Sequence, residues 1–142
     1  MKDKPAITYL NNTVRLQYVE NTGAALSLGD DLPRAASFWL LSILPLAILF
    51  GVVVYTFKNL QQMSPMKVFS IALVFSGGIG NIIDRIIFDR HVSDFMNLGV
   101  GNIRTGIFNV ADICVTAGVI GLLIFFNDKK HNLTPGNSDI TA

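Results

Sequence analysis

The fold is decided by residues 66–88, MKVFSIALVFSGGIGNIIDRIIF, a segment that begins apolar and ends with charged side chains. It is long enough to span a bilayer, which takes about 20 predominantly apolar residues. Asn81, Asp84 and Arg85 have the i, i+3, i+4 spacing that places side chains on one face of a helix. Charged side chains at membrane depth destabilise a bundle, so they usually face its interior and serve a function. The segment therefore predicts a membrane helix with a polar site at its far end.

Two other segments have a similar length and composition. Residues 38–57 carry no charge, and residues 108–126 are apolar except at their start. The chain of 142 residues is 51% hydrophobic and 15% charged, which is typical of a membrane protein and not of a soluble domain. The sequence therefore predicts a mainly α-helical fold, an integral membrane helix bundle with three spans.

Polar segments flank this bundle on both sides. Val14, Leu16 and Tyr18 alternate with polar neighbours and follow a pair of asparagines that can form a tight turn. This pattern predicts a small β-hairpin, or cradle, outside the membrane. The predicted organisation is an extracytoplasmic segment at 1–37, a transmembrane bundle at 38–126 and a polar, disordered tail at 127–142.

Polar side chains from two of the spans are expected to meet at one membrane surface. Three crossings place the N-terminal segment and the loop at 89–107 on the same side, so the far end of the second span faces the start of the third. In the third span, Asn109 and Asp112 share one helix face. The side chains that converge there are Asn81, Asp84, Arg85, Asp94, Asn109 and Asp112.

A purely structural interpretation accounts for part of this set. It has an ion pair of Asp84 with Arg85 or another neighbour, a helix cap at Asn109 and a solvated Asp94. Capping does not account for Asp112, a second carboxylate one turn inside the same apolar helix. The glycines at 77, 78 and 80 are expected to serve close packing between helices.

Two neighbouring aspartates can carry out chemistry without any other partner. Like charges at close range cannot both ionise, so one stays an acid while the other acts as a base toward water. This pattern is typical of aspartic proteases. A proton- or ion-conducting bundle is an alternative, but it requires polar residues along a whole crossing, and these spans are polar at one end only.

Several other classes of site are disfavoured. His91 and His131 fall on opposite sides of the predicted membrane, and Cys114 has no second thiol, so no metal site is expected. Ser76 and Ser93 have no histidine in helical register, so a serine nucleophile would lack a nearby base. The net charge of +1, without a basic stripe, gives no field for nucleic acid.

Four blocks of the sequence resemble the motifs of one family. ENTGAALSLGD at 20–30, GGIGNIIDR at 77–85, VSDF at 92–95 and FNVAD at 108–112 are similar, in order and spacing, to the motif blocks of the lipoprotein signal peptidases, or signal peptidase II. The resemblance implies that Asp94 and Asp112 form a catalytic dyad. It implies polar support from Asn21, Asn81, Asp84, Arg85 and Asn109.

The resemblance also implies a complete activity. The expected enzyme is an aspartic endopeptidase of the bacterial inner membrane, multi-pass, with its active site facing the periplasm. It removes the signal peptide of a diacylglyceryl-modified prolipoprotein just before the lipidated cysteine, without a metal or organic cofactor. Its expected partners are that substrate and membrane lipids, and it is expected to be a monomer. A lipid-open groove near the start of the third span, roofed by the hairpin and residues 21–28, is expected to admit the signal helix.

The chain departs from the family pattern in three respects. The family usually has four spans, and Met1 falls where the first helix would already have ended; Leu26 stands where the family commonly has phenylalanine. A count of basic residues alone favours the opposite orientation, but Lys58 and Lys67 lie in a short loop, which weighs more than long segments. The alternative function is therefore a shortened, catalytically inactive membrane relative or scaffold.

Overall fold

The computed structural model describes residues 5–24, 29 and 31–128, so residues 25–28 and most of the predicted tail lie outside the described part. The strands are β1 (Ile7–Tyr9), β2 (Val14–Asn21), β3 (Val92–Val100) and β4 (Ile103–Arg104). The helices are α1 (Arg34–Phe38), α2 (Leu44–Asn59), α3 (Pro65–Ile87) and α4 (Val110–Ile124). The mainly helical fold and the N-terminal hairpin of β1 and β2 are as predicted.

The first predicted span is part of one long helix. A π-helical turn, Trp39–Ile43, joins α1 to α2, and a short 3-10 turn ends the helix, which runs over 29 residues from Arg34 to Gln62. The π turn lies directly before Pro45, whose ring and missing N–H disturb the hydrogen bonding of the preceding helical turn. The irregularity beside Pro45 is therefore a widened turn.

The second predicted span is α3. Ser64 caps its start by accepting a hydrogen bond from the Lys67 amide at 3.3 Å, and Pro65 occupies the first helical position, where no amide partner is needed. Beyond the end of α3, Asp89 and Arg90 have positive φ angles of 47° and 76°. This left-handed turn, unusual for residues other than glycine, leads the chain from α3 into β3.

Glycines set the spacing between α3 and α4, as the sequence predicted for Gly77. A Cβ at Gly77 would collide with the Ala111 carbonyl oxygen, and one at Gly118 would lie 2.6 Å from the Ser70 carbonyl oxygen. Gly78 instead faces Leu49 of α2, 2.8 Å from a side-chain carbon. The contacts of Gly77 and Gly118 therefore show that α3 and α4 run antiparallel with their backbones in close contact.

The bundle is arranged around α3. This helix packs against α2 on one side and α4 on the other, and within the described residues α2 and α4 make little direct contact. By length and apolar composition, the two helices over Arg34–Gln62 and Pro65–Ile87 can cross a membrane. The third predicted helix is present, but α4 has 15 residues and is shorter than predicted, because Asn109 caps its start and Phe125 caps its end after Ile124.

The prediction of a loop at 89–107 is wrong for much of that segment. β3 and β4 continue the hairpin into a four-stranded antiparallel sheet with the order β1-β2-β3-β4. Val92, Met96 and Leu98 alternate along β3, a period of two that favours a strand. The pairing of Leu16 with Met96 and of Val19 with Asp94 leaves one extra residue in β2, which is a β-bulge.

Candidate active site

Asp94 lies on β3, beside the bulge, and is 2% exposed. Its carboxylate accepts two hydrogen bonds from amide side chains: Asn21 Nδ2 donates at 3.0 Å and Asn109 Nδ2 at 2.7 Å. The solvated Asp94 of the purely structural interpretation is therefore wrong. A carboxylate that is buried and held by two amide side chains is a candidate for a functional role, because burial of a charged group destabilises the fold.

Asp112 is the third residue of α4 and takes part in a capping box. The Asp112 amide donates to Asn109 Oδ1 at 3.1 Å, and the Asn109 amide donates to Asp112 Oδ2 at 3.1 Å. The expected cap at Asn109 is therefore present. The argument that capping does not account for Asp112 is wrong, because the carboxylate at this position satisfies a free amide at the helix start.

Two asparagines join the aspartates in one network. Asn109 Nδ2 donates to Asn81 Oδ1 at 3.1 Å as well as to Asp94, and Asn81 Nδ2 donates to Asp112 Oδ1 at 2.8 Å. The path from Asp94 to Asp112 thus passes through two amide groups. Each carboxylate is oriented by donors whose own oxygens are satisfied.

Arg85 and Asp84 support the backbone around this network. Arg85 donates to the carbonyl oxygens of Gly23 at 2.5 Å and Asn81 at 3.1 Å, while Asp84 accepts from the Ser93 amide at 3.3 Å. Within the described residues Asp84 forms no ion pair with Arg85 or with another neighbour, so the ion pair of the structural interpretation is absent there. Arg85 Nε is buried and has no hydrogen-bond partner there.

The environment of Asp94 favours its neutral form. Burial raises the pKa of Asp94, and the negative charge of Asp112 raises it further, while the hydrogen bonds from Asn21 and Asn109 and the charge of Arg85 act in the opposite direction. The net direction is upward. A proton is therefore held at Asp94 more firmly than at an exposed aspartate.

Both aspartates face one pocket, which has a volume of about 840 Å³. It lies in the cleft between α2 and α4, and Leu41, Pro45 and Ile113 contribute apolar lining. Ile113 is also exposed on the outside of the bundle. The pocket lies where a groove is expected, near the start of α4, and Ala24 lines it; the rest of the expected roof, residues 25–28, falls outside the described residues.

The structure brings most of the predicted site residues to this pocket. Its lining includes Asn21, Asn81, Arg85, Asp94 and Asp112. Asn109 is not part of the lining but donates to Asp94 and Asn81, and Asp84 accepts from the Ser93 amide of β3. The segment Thr105, Gly106, Ile107 and Phe108 also lines the pocket, which the sequence interpretation missed. Its position depends on the pairing of Phe108 with Met96, for which the sequence carries no local signal.

No metal-binding cluster is found in the described residues, where no group of three or more His, Cys, Asp or Glu side chains comes together. That the site needs no metal or organic cofactor stays a prediction.

Comparison with known proteins gives consistent matches along the chain. A family model described as signal peptidase (SPase) II matches residues 1–127. A lipoprotein signal peptidase of Chlorobaculum parvum is 36% identical over 141 residues, covering 93% of this chain and 83% of the relative. One from Treponema pallidum is 31% identical over 130 residues, covering 88% of this chain and 69% of the relative.

Solved structures of bacterial membrane enzymes have the same fold. One superimposes with a TM-score of 0.72 at 28% identity and covers 92% of this chain and 78% of its own. Another superimposes with a TM-score of 0.71 at 30% identity, and the match covers 89% of this chain and 77% of the solved one.

Proposed function

The chain belongs to the signal peptidase II family, and from this premise we propose which of its residues cut the substrate and how. It is an aspartic endopeptidase of the membrane that cleaves the signal peptides of lipoproteins. None of the comparisons favours the alternative of an inactive membrane relative or scaffold. The catalytic residues are Asp94 and Asp112, and the bond cut is the one before the lipid-modified cysteine.

One observation carries this assignment. Two carboxylates, one on β3 and one on α4, line the same pocket and belong to the same hydrogen-bond network, through Asn109 and Asn81. The Asp112 position has a local structural reason, whereas the buried Asp94 has none in the sheet. A charged group retained in such a place supports a chemical role.

The proton distribution supports a division of labour between the two aspartates. In this division Asp94 carries the catalytic proton, which agrees with the upward shift of its pKa by burial, and Asp112 is the base. Asp112 takes a proton from water, the water oxygen bonds to the scissile carbonyl carbon, and Asp94 gives its proton to the carbonyl oxygen. In the second step the C–N bond breaks, Asp112 gives its proton to the leaving nitrogen, and Asp94 recovers a proton from the former carbonyl oxygen.

The remaining polar residues hold this arrangement in place. Asn21 and Asn109 orient Asp94, Asn81 orients Asp112, and Arg85 fixes the backbone at Gly23 beside the pocket. Asp84 fixes the start of β3 through the Ser93 amide. These are positioning roles, because each residue acts through the atoms it binds.

The cleft between α2 and α4 is the entry route for the substrate. Its apolar lining suits a signal helix that arrives sideways from the lipid, and its polar end, at the start of α4, receives the bond to be cut. In this arrangement α4 is the third span of a multi-pass protein of the bacterial inner membrane. The active site faces the periplasm, the neighbours are membrane lipids, and the enzyme acts as a monomer.

The test is cleavage of a lipid-modified prolipoprotein by membranes that contain Asp94→Asn, Asp112→Asn or both changes, with protein abundance measured in parallel. Asparagine keeps the size of the side chain but cannot exchange the proton. Each single change should lower the rate by about 10⁴-fold, and the double variant should be no slower, because the two groups act as one device.

The matched control is Asp84→Asn, which removes a carboxylate on the same side of the bundle without touching the dyad. It should reduce stability or affinity while part of the activity remains. A near wild-type rate for Asp112→Asn would rule out the aspartic mechanism proposed for this pair.

A further inference from the structure

A second pocket lies on the other side of Arg85, between the start of α1 and the end of α3. It has a volume of about 590 Å³, and we call it the arginine pocket. Its lining consists of Arg34, Ala35, Phe38, Trp39, Arg85, Ile86, Asp89 and Arg90. Neither aspartate of the proposed dyad lines it, and Arg85 is the one residue that lines both pockets.

The charged side chains of the arginine pocket are unevenly balanced. Three arginines and one aspartate line it, which gives a formal charge of +2. Arg34 forms an exposed ion pair with Asp89 at 2.5 Å. Arg90 is half-buried and donates from Nε to the hydroxyl of the buried Ser37 at 3.3 Å. Within the described part of the chain, the terminal guanidinium nitrogens of Arg90 have no partner, so they can bind an anion.

The apolar side chains of the same pocket are exposed to the surroundings of the bundle. Trp39 is 61% exposed and Ile86 is 65% exposed, and Phe38 packs edge-on against Trp39 with ring centroids 6.0 Å apart. These residues belong to two helices that can cross a membrane, at the ends where Arg34 and Arg90 lie. Tryptophan is enriched at this depth, where hydrocarbon meets the headgroups.

We propose that the arginine pocket binds an anionic phospholipid, with the headgroup phosphate on Arg90 and Arg34 and an acyl chain along Trp39 and Ile86. The cationic side chains of Arg34 and Arg90 match the phosphate of such a lipid, and the exposed apolar side chains of Trp39 and Ile86 match its acyl chain. A soluble anion satisfies only the first part, and a zwitterionic lipid brings a positive group toward a pocket that is already positive. The proposal depends on the membrane location of the protein and not on which residues cut the substrate.

The turn between α3 and β3 fixes the charges of this pocket. Asp89 and Arg90 occupy the two left-handed positions described above, and the Arg90 amide donates to the Arg85 carbonyl at 2.7 Å. The turn thereby directs an acidic and a basic side chain to the same opening. The ion pair with Asp89 partly neutralises Arg34. Removal of the Asp89 charge should therefore strengthen binding of the lipid phosphate.

Trp39 is the single tryptophan of the chain, so its fluorescence reports on this pocket without engineering. The experiment reconstitutes the full chain in phosphatidylcholine bilayers with small, equal fractions of either phosphatidylglycerol or phosphatidylcholine carrying brominated acyl chains. Brominated phosphatidylglycerol should quench Trp39 more strongly. The preference should be about fivefold for each arginine that faces the phosphate, as for a basic residue at an anionic surface.

Substitutions should change this preference in opposite directions. Arg90→Gln should lower it about fivefold and Arg34→Gln by less, whereas Asp89→Asn should raise it, because it removes the competing negative charge. Lys58→Gln is the matched control, since it removes one positive charge at the other end of the same long helix. It should leave the preference unchanged.

Two results would overturn the proposal. One is equal quenching of the unsubstituted protein by the two brominated lipids. The other is an equal loss of preference in Arg90→Gln and Lys58→Gln, which would indicate general attraction to an anionic surface. If Arg90→Gln fails to fold, as judged by gel filtration and by Trp39 emission without brominated lipid, the opposite shifts of Arg34→Gln and Asp89→Asn decide the question.

Discussion

The sheet and the helix bundle each supply one aspartate to the candidate site, and they do so on different terms. Asp112 sits in the first turn of α4, where a carboxylate completes a capping box and stabilises the helix start. Asp94 sits on β3, buried, where the strand gains nothing from a carboxylate. An acidic residue at position 112 stabilises the helix to which it belongs. An acidic residue at position 94 does not stabilise the sheet. Asp94 is therefore the stronger indication of function.

The stability of the helix bundle should be more sensitive than that of the sheet to an added side-chain atom. Gly77→Ala should destabilise the protein by about 3 kcal/mol, because the new methyl group meets the Ala111 carbonyl, next to Asp112, and the backbone has to move. Activity should fall with it. Thermal unfolding in detergent measures the loss. Gly51→Ala is the control, since a Cβ at Gly51 meets nothing within 4 Å, and its melting temperature should not fall.

Substitution of Asn109, at the start of α4, and of Asn21, in the sheet, should lower the cleavage rate by different amounts. Asn109→Ala removes the donor to Asp94, the link to Asn81 and the cap of α4, so activity should drop roughly 100-fold and stability by about 1 kcal/mol. Asn21→Ala removes one donor to Asp94 and should cost roughly tenfold in rate. Prolipoprotein cleavage and thermal unfolding of both variants test this order. A larger rate loss for Asn21→Ala would mean that the sheet, and not α4, holds the dyad together.

Stability should distinguish the two dyad variants even though both are inactive. Asp112→Asn removes the charge at the helix start and part of the capping box, which should lower the free energy of unfolding by about 1 kcal/mol. Asp94→Asn removes a carboxylate whose ionised form is unfavourable in its buried position, so its melting temperature at neutral pH should be less affected. Equal destabilisation by the two changes would remove the contrast between sheet and helix.

The smallest effect concerns pH. The pKa of Asp94 is higher in the folded protein than its ordinary value of 3.8, so the folded state binds this proton more tightly than the unfolded state. The contribution of Asp94 to stability is therefore fully present below that ordinary value and is lost as pH rises through the folded pKa. Melting temperatures measured from acidic to neutral pH should show this decline in the unsubstituted protein. A decline that persists in Asp94→Asn would assign it to another group.

Much of the bundle could be predicted because its signals are local. Apolar length identifies α2 and α3, and helical spacing brings Asn81 and Arg85 to one face. The glycine at 77 signals close packing. The same local logic predicts that Asn109 begins a helix, which the structure confirms.

The sheet could be predicted only in part, because its pairing is not local. β3 pairs with β2, more than 70 positions earlier in the chain, and the hydrogen bond from Asn21 to Asp94 depends on that register. Val92, Asp94 and Met96 alternate as a strand does, but an aspartate at a buried strand position works against that interpretation. The feature that hid the strand is the one that marks the site.

The shortness of α4 has a consequence for the lipid around it. At 1.5 Å per residue, its 15 residues extend about 22 Å, whereas the hydrocarbon layer is about 30 Å thick. Lys67, at the start of α3, donates to the Phe126 carbonyl at 3.0 Å and keeps a charged group at the far end of α4. In the proposed three-span arrangement, a helix this short has to be accommodated by local thinning of the bilayer, by flanking side chains that reach the headgroups, or by both. Thinning beside α4 would bring the boundary of water and lipid toward Asp112 and would shorten the path through hydrocarbon of the water that hydrolysis consumes.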